Sequence, residues 1–125
     1  SILADEIESC SLNHSKVDLS YMTCTVNSKK AIRNNFIATI HSYDNTMRVH
    51  SVDFDKSPHY YNLIKAFFLK TGIPGVLNTS LNIHGKPIVM NPIDIINELL
   101  LVSGVSIDNI IIENLFFKKK TMVDE

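Results

Sequence analysis

The stretch that decides the fold runs from residue 57 to residue 82 and reads SPHYYNLIKAFFLKTGIPGVLNTSLN. Its opening Ser-Pro pair is a typical helix start, and apolar residues then recur at helical spacing until Gly72. A Pro-Gly pair ends this helix, and the short apolar segment at 76–77 predicts a buried strand that leads into a polar loop. A helix, a strand and a polar loop in this order predict an α/β fold.

A second helix and a further strand are predicted after the polar loop. Asn91 and Pro92 form another helix start, and the apolar residues at positions 93, 96 and 100 form a stripe that Gly104 ends as a left-handed C-cap. Residues 110–112 are three consecutive isoleucines, which is typical of a strand covered on both faces. The alternation of helices and strands predicts a layered α/β body.

The N-terminal part of the chain predicts additional strands. Residues 21–26 are rich in aromatic, β-branched and thiol side chains, and residues 36–40 are a second short apolar run. The polar residues 29–35 between them predict a connection that could hold one helical turn.

Residues 47–52 alternate in the manner of a third strand in this region. Because side chains point to opposite faces of a strand in turn, Arg48 and His50 are expected on one face and Met47 and Val49 on the other.

Composition limits the classes of function. The chain has 125 residues and a mass of 14.1 kDa, which suits one domain with a single core. A formal net charge of −1 gives no global basic field, so a nucleic-acid partner is not expected. No apolar run approaches the roughly 20 residues that span a bilayer, and no secretion signal is visible. We therefore expect a cytoplasmic protein with no membrane partner. The absence of an initiator Met predicts that the chain begins inside a longer polypeptide.

Single residues give little sign of catalysis or metal binding. Cys10 and Cys24 lack the spacing of a zinc site or a redox pair, so both are predicted to be free thiols and no metal is expected in this chain. The histidines at positions 41, 50 and 84 do not have the spacing of a triad or metal motif, and the roles of His41 and His84 stay open. The carboxylates at positions 53 and 55 are expected to act only at the surface before the first helix.

The polar loop at residues 78–89 reads NTSLNIHGKPIV and is a candidate anion site. Short amide and hydroxyl side chains at Asn78, Ser80 and Asn82 can converge with backbone N–H groups, and Gly85 permits a close approach of the backbone. The alternative is that these residues only form the turns between a strand and a helix. Spacing alone leaves both interpretations open.

Arg48 is the second candidate. It lies inside a predicted strand, where a β-branched or aromatic residue would be more usual, and its planar guanidinium suits a bidentate contact with phosphate or carboxylate. A solvated arginine on the strand surface is the alternative.

These residues resemble the C-terminal domain of the O-carbamoyltransferases, the family of nodulation-factor and antibiotic carbamoyltransferases. The resemblance runs through nearly the whole chain and rests mainly on residues 71–74, on the loop at 78–89, on the segment DNTMR at 44–48 and on residues 110–117. The loop is also similar to an element of the YrdC-type threonylcarbamoyl-adenylate synthases.

The resemblance implies a YrdC-like α/β (α+β) fold, with a twisted mixed β-sheet and flanking helices, over residues 1–117, followed by a charged tail at 118–125. It also implies that this domain binds carbamoyl phosphate and ATP and forms a carbamoyl-adenylate. A Kae1-like N-terminal domain, holding a metal that is iron by the same resemblance, would then transfer the carbamoyl group to a hydroxyl.

The resemblance also assigns site residues by position, while the catalytic residues stay unknown. Arg48, Asn78 and Ser80 match the carbamoyl-phosphate contacts of the family. A candidate phosphate or nucleotide loop comprises Thr79, Asn82 and Gly85.

This sequence departs from the family pattern in several ways, among them Leu81 in place of Phe and Lys86 in place of Glu. The family has a histidine two residues before the Asp of its D-G-T-x-R segment, whereas here Ser42 stands there and His41 lies one residue earlier; Asn45 replaces the Gly and tolerates the same left-handed turn. A basic segment ending in Arg-Pro-Phe would lie upstream of the first residue. The domain is therefore expected to be partial, and the isolated chain is predicted to be inactive or nearly so.

Two other functions remain open at this point. A threonylcarbamoyl-adenylate synthase would use threonine and bicarbonate in place of carbamoyl phosphate. A non-catalytic RNA-binding module of YrdC-like fold would need a basic concave face, which the net charge of −1 does not favour.

Overall fold

The computed structural model of the chain describes residues 1–14, 17–96 and 107–118. The chain forms two compact units, residues 1–78 and residues 79–125. Both contain helical and β structure, so the mixed α/β class is confirmed. The expectation of one domain over 1–117 with a tail from 118 stays a prediction.

The first unit contains two small sheets and one long helix. Its strands and helices are β1 (Ile2–Leu3), α1 (Ile7–Cys10), β2 (Ser11–Leu12), β3 (Thr25–Ser28), β4 (Thr46–Arg48), β5 (Ser51–Val52) and α2 (Pro58–Thr71). Single 3₁₀ turns lie at Ala4–Glu6, Lys30–Ile32 and Ile37–Thr39. Strand β1 pairs in parallel with β5, and β2, β3 and β4 form an antiparallel sheet in that order.

Helix α2 has the bounds that its sequence predicts. It begins after Ser57 with Pro58 in its first turn, and it ends where Gly72 adopts a left-handed conformation with φ 73°. The Gly72 N–H donates to the carbonyl of Phe68 at 2.8 Å, which satisfies one of the last carbonyls of the helix. Ile64 is fully buried and packs in one cluster with Leu3 and Val52, so this helix covers the β1–β5 pair.

The predicted strand at 47–52 is in fact two strands that belong to different sheets. Strand β4 ends at Arg48 and pairs with β3, whereas β5 begins at Ser51 and pairs with β1. The predicted alternation is nevertheless confirmed, because Met47 and Val49 are buried and Arg48 is exposed. The prediction of one strand was wrong because the partner strands, which are distant in sequence, determine where each pairing stops.

Two other strand predictions are corrected in the same region. The strand expected at 21–26 is found at Thr25–Ser28, since Met22 has a left-handed φ of 56° that no strand residue adopts. The apolar run at 36–40 forms the 3₁₀ turn Ile37–Thr39, in which the Thr39 N–H donates to the carbonyl of Phe36 at 2.8 Å. The helical turn allowed for within 29–35 is confirmed at Lys30–Ile32.

The segment at 76–77 was expected to be a buried strand, and this is also corrected. One β-bridge joins Gly75 to Ile2, and the Val76 N–H donates to the carbonyl of Ser1 at 2.9 Å. Leu77 is 62% exposed, so the pairing ends before it. Gly75 permits this approach, because a Cβ there would lie 2.6 Å from the Ser1 oxygen.

The second unit contains α3 (Pro92–Asp94), β6 (Asn109–Ile112) and β7 (Leu115–Lys118). The Asn91 side chain accepts hydrogen bonds from the N–H groups of Ile93 and Asp94, which confirms the predicted helix start. The rest of that predicted helix, including positions 100 and 104, lies outside the described residues.

Strands β6 and β7 form an antiparallel hairpin. The predicted strand at 110–112 is therefore confirmed, but its coverage on both faces was wrong: Ile110 is 9% exposed and packs with Ile95, whereas Ile111 is 65% exposed. A hairpin strand buries alternate side chains, and three isoleucines in a row do not change that. Lys118 ends β7, and the remainder of the predicted tail lies outside the described residues. Among the residues described, no helix is both long and apolar enough to cross a membrane.

Candidate functional site

A tight turn places Arg48 at the end of β4. The Asp44 carboxylate accepts hydrogen bonds from the N–H of Thr46 at 2.9 Å and from its hydroxyl at 2.8 Å. Asn45 takes the left-handed conformation that its sequence predicts, with φ 58°. The turn closes where the His41 N–H donates to the carbonyl of Thr46 at 2.8 Å. These contacts fix the first residue of β4, and Arg48 follows two residues later.

Asp44 holds this turn as a carboxylate. The hydrogen bonds from Thr46 lower the pKa of the Asp44 carboxyl below its ordinary value, because they stabilise its charged form. His41 lies beside the turn, with Nδ1 3.3 Å from Oδ1 of Asp44, and both side chains are mostly exposed. His41 therefore contacts the residue that holds the turn.

Arg48 and Asn78 line the same cavity of the first unit, which we call the Arg48 cavity. Its volume is about 220 Å³. Thr39, whose hydroxyl donates to the carbonyl of Phe36 at 2.9 Å, lines the cavity, as do apolar residues, among them Phe36 and Val49. The structure thus brings together two of the three residues that match the carbamoyl-phosphate contacts.

The charge and donor groups of this cavity suit an anion. In the part of the chain that the structure describes, Arg48 forms no salt bridge, so its guanidinium can accept a ligand. The Asn78 amide donates to Sδ of Met22 at 3.6 Å, a weak interaction that is readily exchanged for a ligand oxygen. A cation, an amide and a partly apolar wall together favour a small, charged and polar ligand.

The remaining predicted site residues lie in the second unit, in the loop that begins at Thr79. The Ser80 hydroxyl donates to Oδ1 of Asn82 at 2.8 Å, and the Asn82 amide donates to the carbonyls of Ile83 and Lys86 at 3.2 Å and 2.9 Å. The whole polar group of Asn82 therefore holds the loop together. This favours the turn-forming interpretation for Asn82, while Thr79 and Ser80 are exposed.

Gly85 has a conformational reason for being glycine. Its φ is 80°, and a Cβ at this position would meet nothing within 4 Å. The glycine therefore suits the left-handed turn, and it is not required by a close approach of any described residue to this position.

His50, which was expected on the same strand face as Arg48, lies between the two strands and lines another cavity, together with Lys56. Burial lowers the pKa of its imidazole, because the charged form loses water. Its Nδ1 lies 3.2 Å from the hydroxyl of Ser1, and its ring centroid lies 6.1 Å from that of Tyr60.

Sequence reasoning missed several residues that line the Arg48 cavity. A 3₁₀ turn, where a strand was expected, places Thr39 at the cavity, and a left-handed backbone conformation places Met22 there. Neither position carries a local signal. Lys56 does not line the Arg48 cavity but a neighbouring one with His50, and sequence reasoning did not single it out although it stands next to the helix start at Ser57.

The described residues contain no candidate metal site. They contain no group of three or more His, Cys, Asp or Glu side chains that could hold an ion. Cys10 and Cys24 are free thiols, as predicted, and burial raises the pKa of Cys10.

Comparison with known proteins agrees with the resemblance. The family model described as carbamoyltransferase C-terminus matches residues 1–119. The chain is 30% identical over 121 residues to the nodulation protein NolNO of Sinorhizobium fredii, which covers 97% of the chain and 17% of the relative. It is 34% identical over 82 residues to NolO of Bradyrhizobium diazoefficiens, covering 66% of the chain and 15% of the relative.

An uncharacterized protein of Methanocaldococcus jannaschii is 44% identical over 57 residues, which is 46% of the chain and 11% of that protein. The chain thus spans between 11% and 17% of the length of these three relatives. Since one family model matches nearly every residue, the chain belongs to the carbamoyltransferase family and corresponds to its C-terminal domain.

Proposed function

We propose that this domain binds carbamoyl phosphate in the Arg48 cavity, as part of an O-carbamoyltransferase. The observation that carries the proposal is that Arg48 and Asn78, which are 30 positions apart in sequence, line one cavity of about 220 Å³. This volume lies below the range of about 300–1,000 Å³ that is common for drug-sized ligands. It suits a molecule as small as carbamoyl phosphate.

The chemistry of the cavity matches the two ends of that ligand. The fork of Arg48 presents parallel N–H donors to phosphate oxygens, and charge-assisted bonds of this kind are about twice as strong as neutral ones. The Asn78 side chain has both an amide donor and a carbonyl acceptor, which are what a carbamoyl group needs. The apolar wall at Phe36 and Val49 limits the water that competes for these bonds.

In the whole protein, water would cleave the bound carbamoyl phosphate to carbamate and inorganic phosphate, and the carbamate would attack the α-phosphorus of ATP, forming a carbamoyl-adenylate and releasing pyrophosphate. The carbamoyl group would then pass to a hydroxyl of the acceptor with release of AMP. A metal-bearing domain elsewhere in the protein would carry out that transfer. The role of this domain in the reaction would be to bind and orient two negatively charged substrates. Holding them in fixed geometry lowers the barrier through positioning more than through proton transfer.

The proposal is tested by titrating carbamoyl phosphate into the 125-residue chain and measuring the dissociation constant by calorimetry. Arg48→Ala is expected to weaken binding by about tenfold or more, since it removes charge-assisted bonds worth about 1.5–3 kcal/mol. Arg48→Lys keeps the positive charge but lacks the planar, bidentate guanidinium, so its dissociation constant should lie between those of the parent and of Arg48→Ala.

Lys70→Ala is the matched control, because it removes the same charge from the exposed C-terminal turn of α2, away from the cavity lining. It should bind like the parent chain. Equal losses in Arg48→Ala and Lys70→Ala would show that only net charge matters and would contradict the proposal. Binding of threonine with bicarbonate, without carbamoyl phosphate, would instead indicate a threonylcarbamoyl-adenylate synthase.

A further inference from the structure

Ser1 is part of the wall of the Arg48 cavity, and its backbone is fixed there. Its carbonyl accepts a hydrogen bond from the Val76 N–H at 2.9 Å, and its amine donates to the Val76 carbonyl at 2.9 Å. Val76 lines the same cavity, and the bridge between Ile2 and Gly75 continues this pairing by one residue. Ser1 therefore has a defined place beside a ligand of the cavity.

His50 is the hydrogen-bond partner of the Ser1 side chain. Its Nδ1 lies 3.2 Å from Oγ of Ser1. Its backbone is held beside β1, because the Ile2 N–H donates to the His50 carbonyl at 2.9 Å. The imidazole is half-buried, and its ring centroid lies 6.1 Å from that of Tyr60. His50 itself does not line the Arg48 cavity, so its effect on a ligand there passes through Ser1.

The protonation of Nδ1 decides what the Ser1 hydroxyl can offer to a ligand. A hydroxyl has a single hydrogen. When Nδ1 carries no proton, the hydroxyl donates its hydrogen to the imidazole, and only oxygen lone pairs remain for the cavity. When Nδ1 carries a proton, the imidazole donates to Oγ, and the hydroxyl hydrogen is free to bind an anion. The pair can thus change from an acceptor to a donor without moving a heavy atom.

We propose that Ser1 and His50 together form a donor for the phosphate group of carbamoyl phosphate in the Arg48 cavity. Ser1 contacts the ligand. His50 is the positioning residue, because a proton on its Nδ1 turns the hydroxyl hydrogen of Ser1 toward a phosphate oxygen. The inference rests on the proposed function and extends it, since it adds a neutral donor to the charged fork of Arg48 and couples binding to the protonation of one imidazole.

The charges around the ligand favour this arrangement. Burial, together with the nearby amine of Ser1, lowers the pKa of His50, so the imidazole of the empty domain is neutral at pH 7. A phosphate dianion in the adjacent cavity attracts the imidazolium form and accepts the hydrogen bond that this form makes available. Binding should therefore raise the pKa of His50. By linkage, the affinity for carbamoyl phosphate should then rise as the pH falls.

Several other charged or titratable groups face His50. They are the amine of Ser1, the phenol of Tyr60 on α2 and, across the neighbouring cavity, the side chains of Tyr21, Asp53 and Lys56. Histidine side chains and α-amino groups are the groups expected to titrate between pH 5 and 8. Burial lowers the pKa of the Ser1 amine to about 6, so it would titrate together with His50. Acetylation of the amine removes this titration and leaves an N–H that can still donate to the Val76 carbonyl.

The test follows the imidazole of His50 by ¹⁵N NMR in the acetylated 125-residue chain, with and without saturating carbamoyl phosphate. The shifts of the two ring nitrogens report the tautomer and the pKa. We expect the ligand to move the proton population toward Nδ1 and to raise the pKa of His50 by about one unit. The affinity measured by calorimetry should then be about tenfold higher below the pKa of the free domain than above that of the complex. The inference is wrong if saturation leaves both the tautomer and the pKa unchanged.

Two pairs of variants separate the roles of Ser1 and His50. Ser1→Ala should weaken carbamoyl phosphate binding by about tenfold, because it removes a hydrogen bond to a charged group. Ser9→Ala is its control, since the Ser9 hydroxyl donates to the carbonyl of Glu6 and Ser9 does not line the cavity.

His50→Asn places an amide donor near the position of Nδ1 that does not titrate, so it should keep most of the affinity and lose the rise at low pH. His59→Asn, at an exposed position of α2, is its control and should keep that rise. Equal affinities of Ser1→Ala and Ser9→Ala, or equal pH profiles of the two histidine variants, would overturn the inference. Circular dichroism shows whether each variant is folded.

The two proposals fail in different ways. If carbamoyl phosphate binds, and Arg48→Ala but not Ser1→Ala weakens it, only the inference about Ser1 and His50 is refuted. If the parent chain does not bind carbamoyl phosphate, the proposed function is refuted, and the inference that rests on it is refuted as well.

Discussion

Replacing Gly75 by alanine is expected to disturb both the fold of the first unit and the Arg48 cavity. The added Cβ would lie 2.6 Å from the carbonyl oxygen of Ser1, 3.0 Å from Cγ1 of Ile2 and 3.1 Å from Cε1 of Phe36. The Ser1 oxygen accepts a hydrogen bond from the Val76 N–H at 2.9 Å, so moving it breaks or lengthens that bond. Phe36 is part of the buried core and has little room to move.

We expect Gly75→Ala to lower the free energy of unfolding by about 1–3 kcal/mol, which is the usual cost of overpacking. Relief of the clash would move the segment 76–78 away from β1. Because Val76 and Asn78 both line the Arg48 cavity, the affinity for carbamoyl phosphate should fall as well.

Gly72→Ala is the matched control. Gly72 has a left-handed φ of 73°, and a Cβ there would meet nothing within 4 Å. This variant therefore carries backbone strain of about 1–2 kcal/mol without a clash, and its affinity for carbamoyl phosphate should equal that of the parent. The two glycines separate loss of stability from loss of the cavity.

Urea unfolding followed by tyrosine fluorescence measures the first unit alone, because all four tyrosines lie within residues 1–78 and the chain has no tryptophan. Calorimetry gives the affinity of each variant. The reasoning is refuted if Gly75→Ala unfolds at the same urea concentration as the parent. It is equally refuted if Gly75→Ala loses no more affinity than Gly72→Ala.

Two further predictions concern the strand that carries Arg48. Asp44→Ala removes the acceptor of both Thr46 hydrogen bonds and should lower the affinity for carbamoyl phosphate in calorimetry. Asp44→Asn keeps an oxygen that can accept both bonds and should retain the affinity of the parent. Those bonds lower the pKa of the Asp44 carboxyl below its ordinary value of 3.8. The stability that the charged carboxylate contributes is therefore present above pH 3.8 and is lost as the pH falls through the lowered pKa. Asp44→Asn has no carboxyl to titrate, so its stability should change with pH in this range differently from that of the parent. Thr25 lies directly opposite Arg48 across β3 and β4, so Thr25→Asp should occupy the guanidinium and weaken carbamoyl phosphate binding by about tenfold, while the neutral Thr25→Asn should not. Equal affinities of the two Thr25 variants would contradict this pairing.

Local signals predicted helix α2 and the face on which Arg48 lies. Pro58 at the start and Gly72 at the end act through their own backbone preferences, so the sequence contains both signals, although the Ser57 side chain makes no capping hydrogen bond. The alternation of Met47, Arg48 and Val49 needs only the geometry of an extended chain, and it holds even though the strand is short.

Sequence reasoning failed where distant pairing decides the structure. Strand β4 ends after Arg48 because its partner β3 begins at Thr25, and β5 exists because β1 lies beside it. The left-handed Met22 has no local cause in its residue type. The Arg48 cavity could be anticipated only in part, because Arg48 and Asn78 were each candidates but their common cavity depends on the bridge between Ile2 and Gly75.

The exposure and freedom of Arg48 follow from the way the chain passes between two sheets. Met47 is buried and paired with Val26, which fixes the backbone one residue before Arg48, and Val49 is buried one residue after it. The backbone of Arg48 is thus held on both sides while its side chain is exposed. Its cross-strand neighbour Thr25 is neutral, so no carboxylate competes for the guanidinium from that position. A charged group on a fixed backbone, without a partner of its own among the described residues, needs no ordering of the backbone and breaks no ion pair when it binds an anion, so the main cost of binding is the rotamer freedom of its side chain.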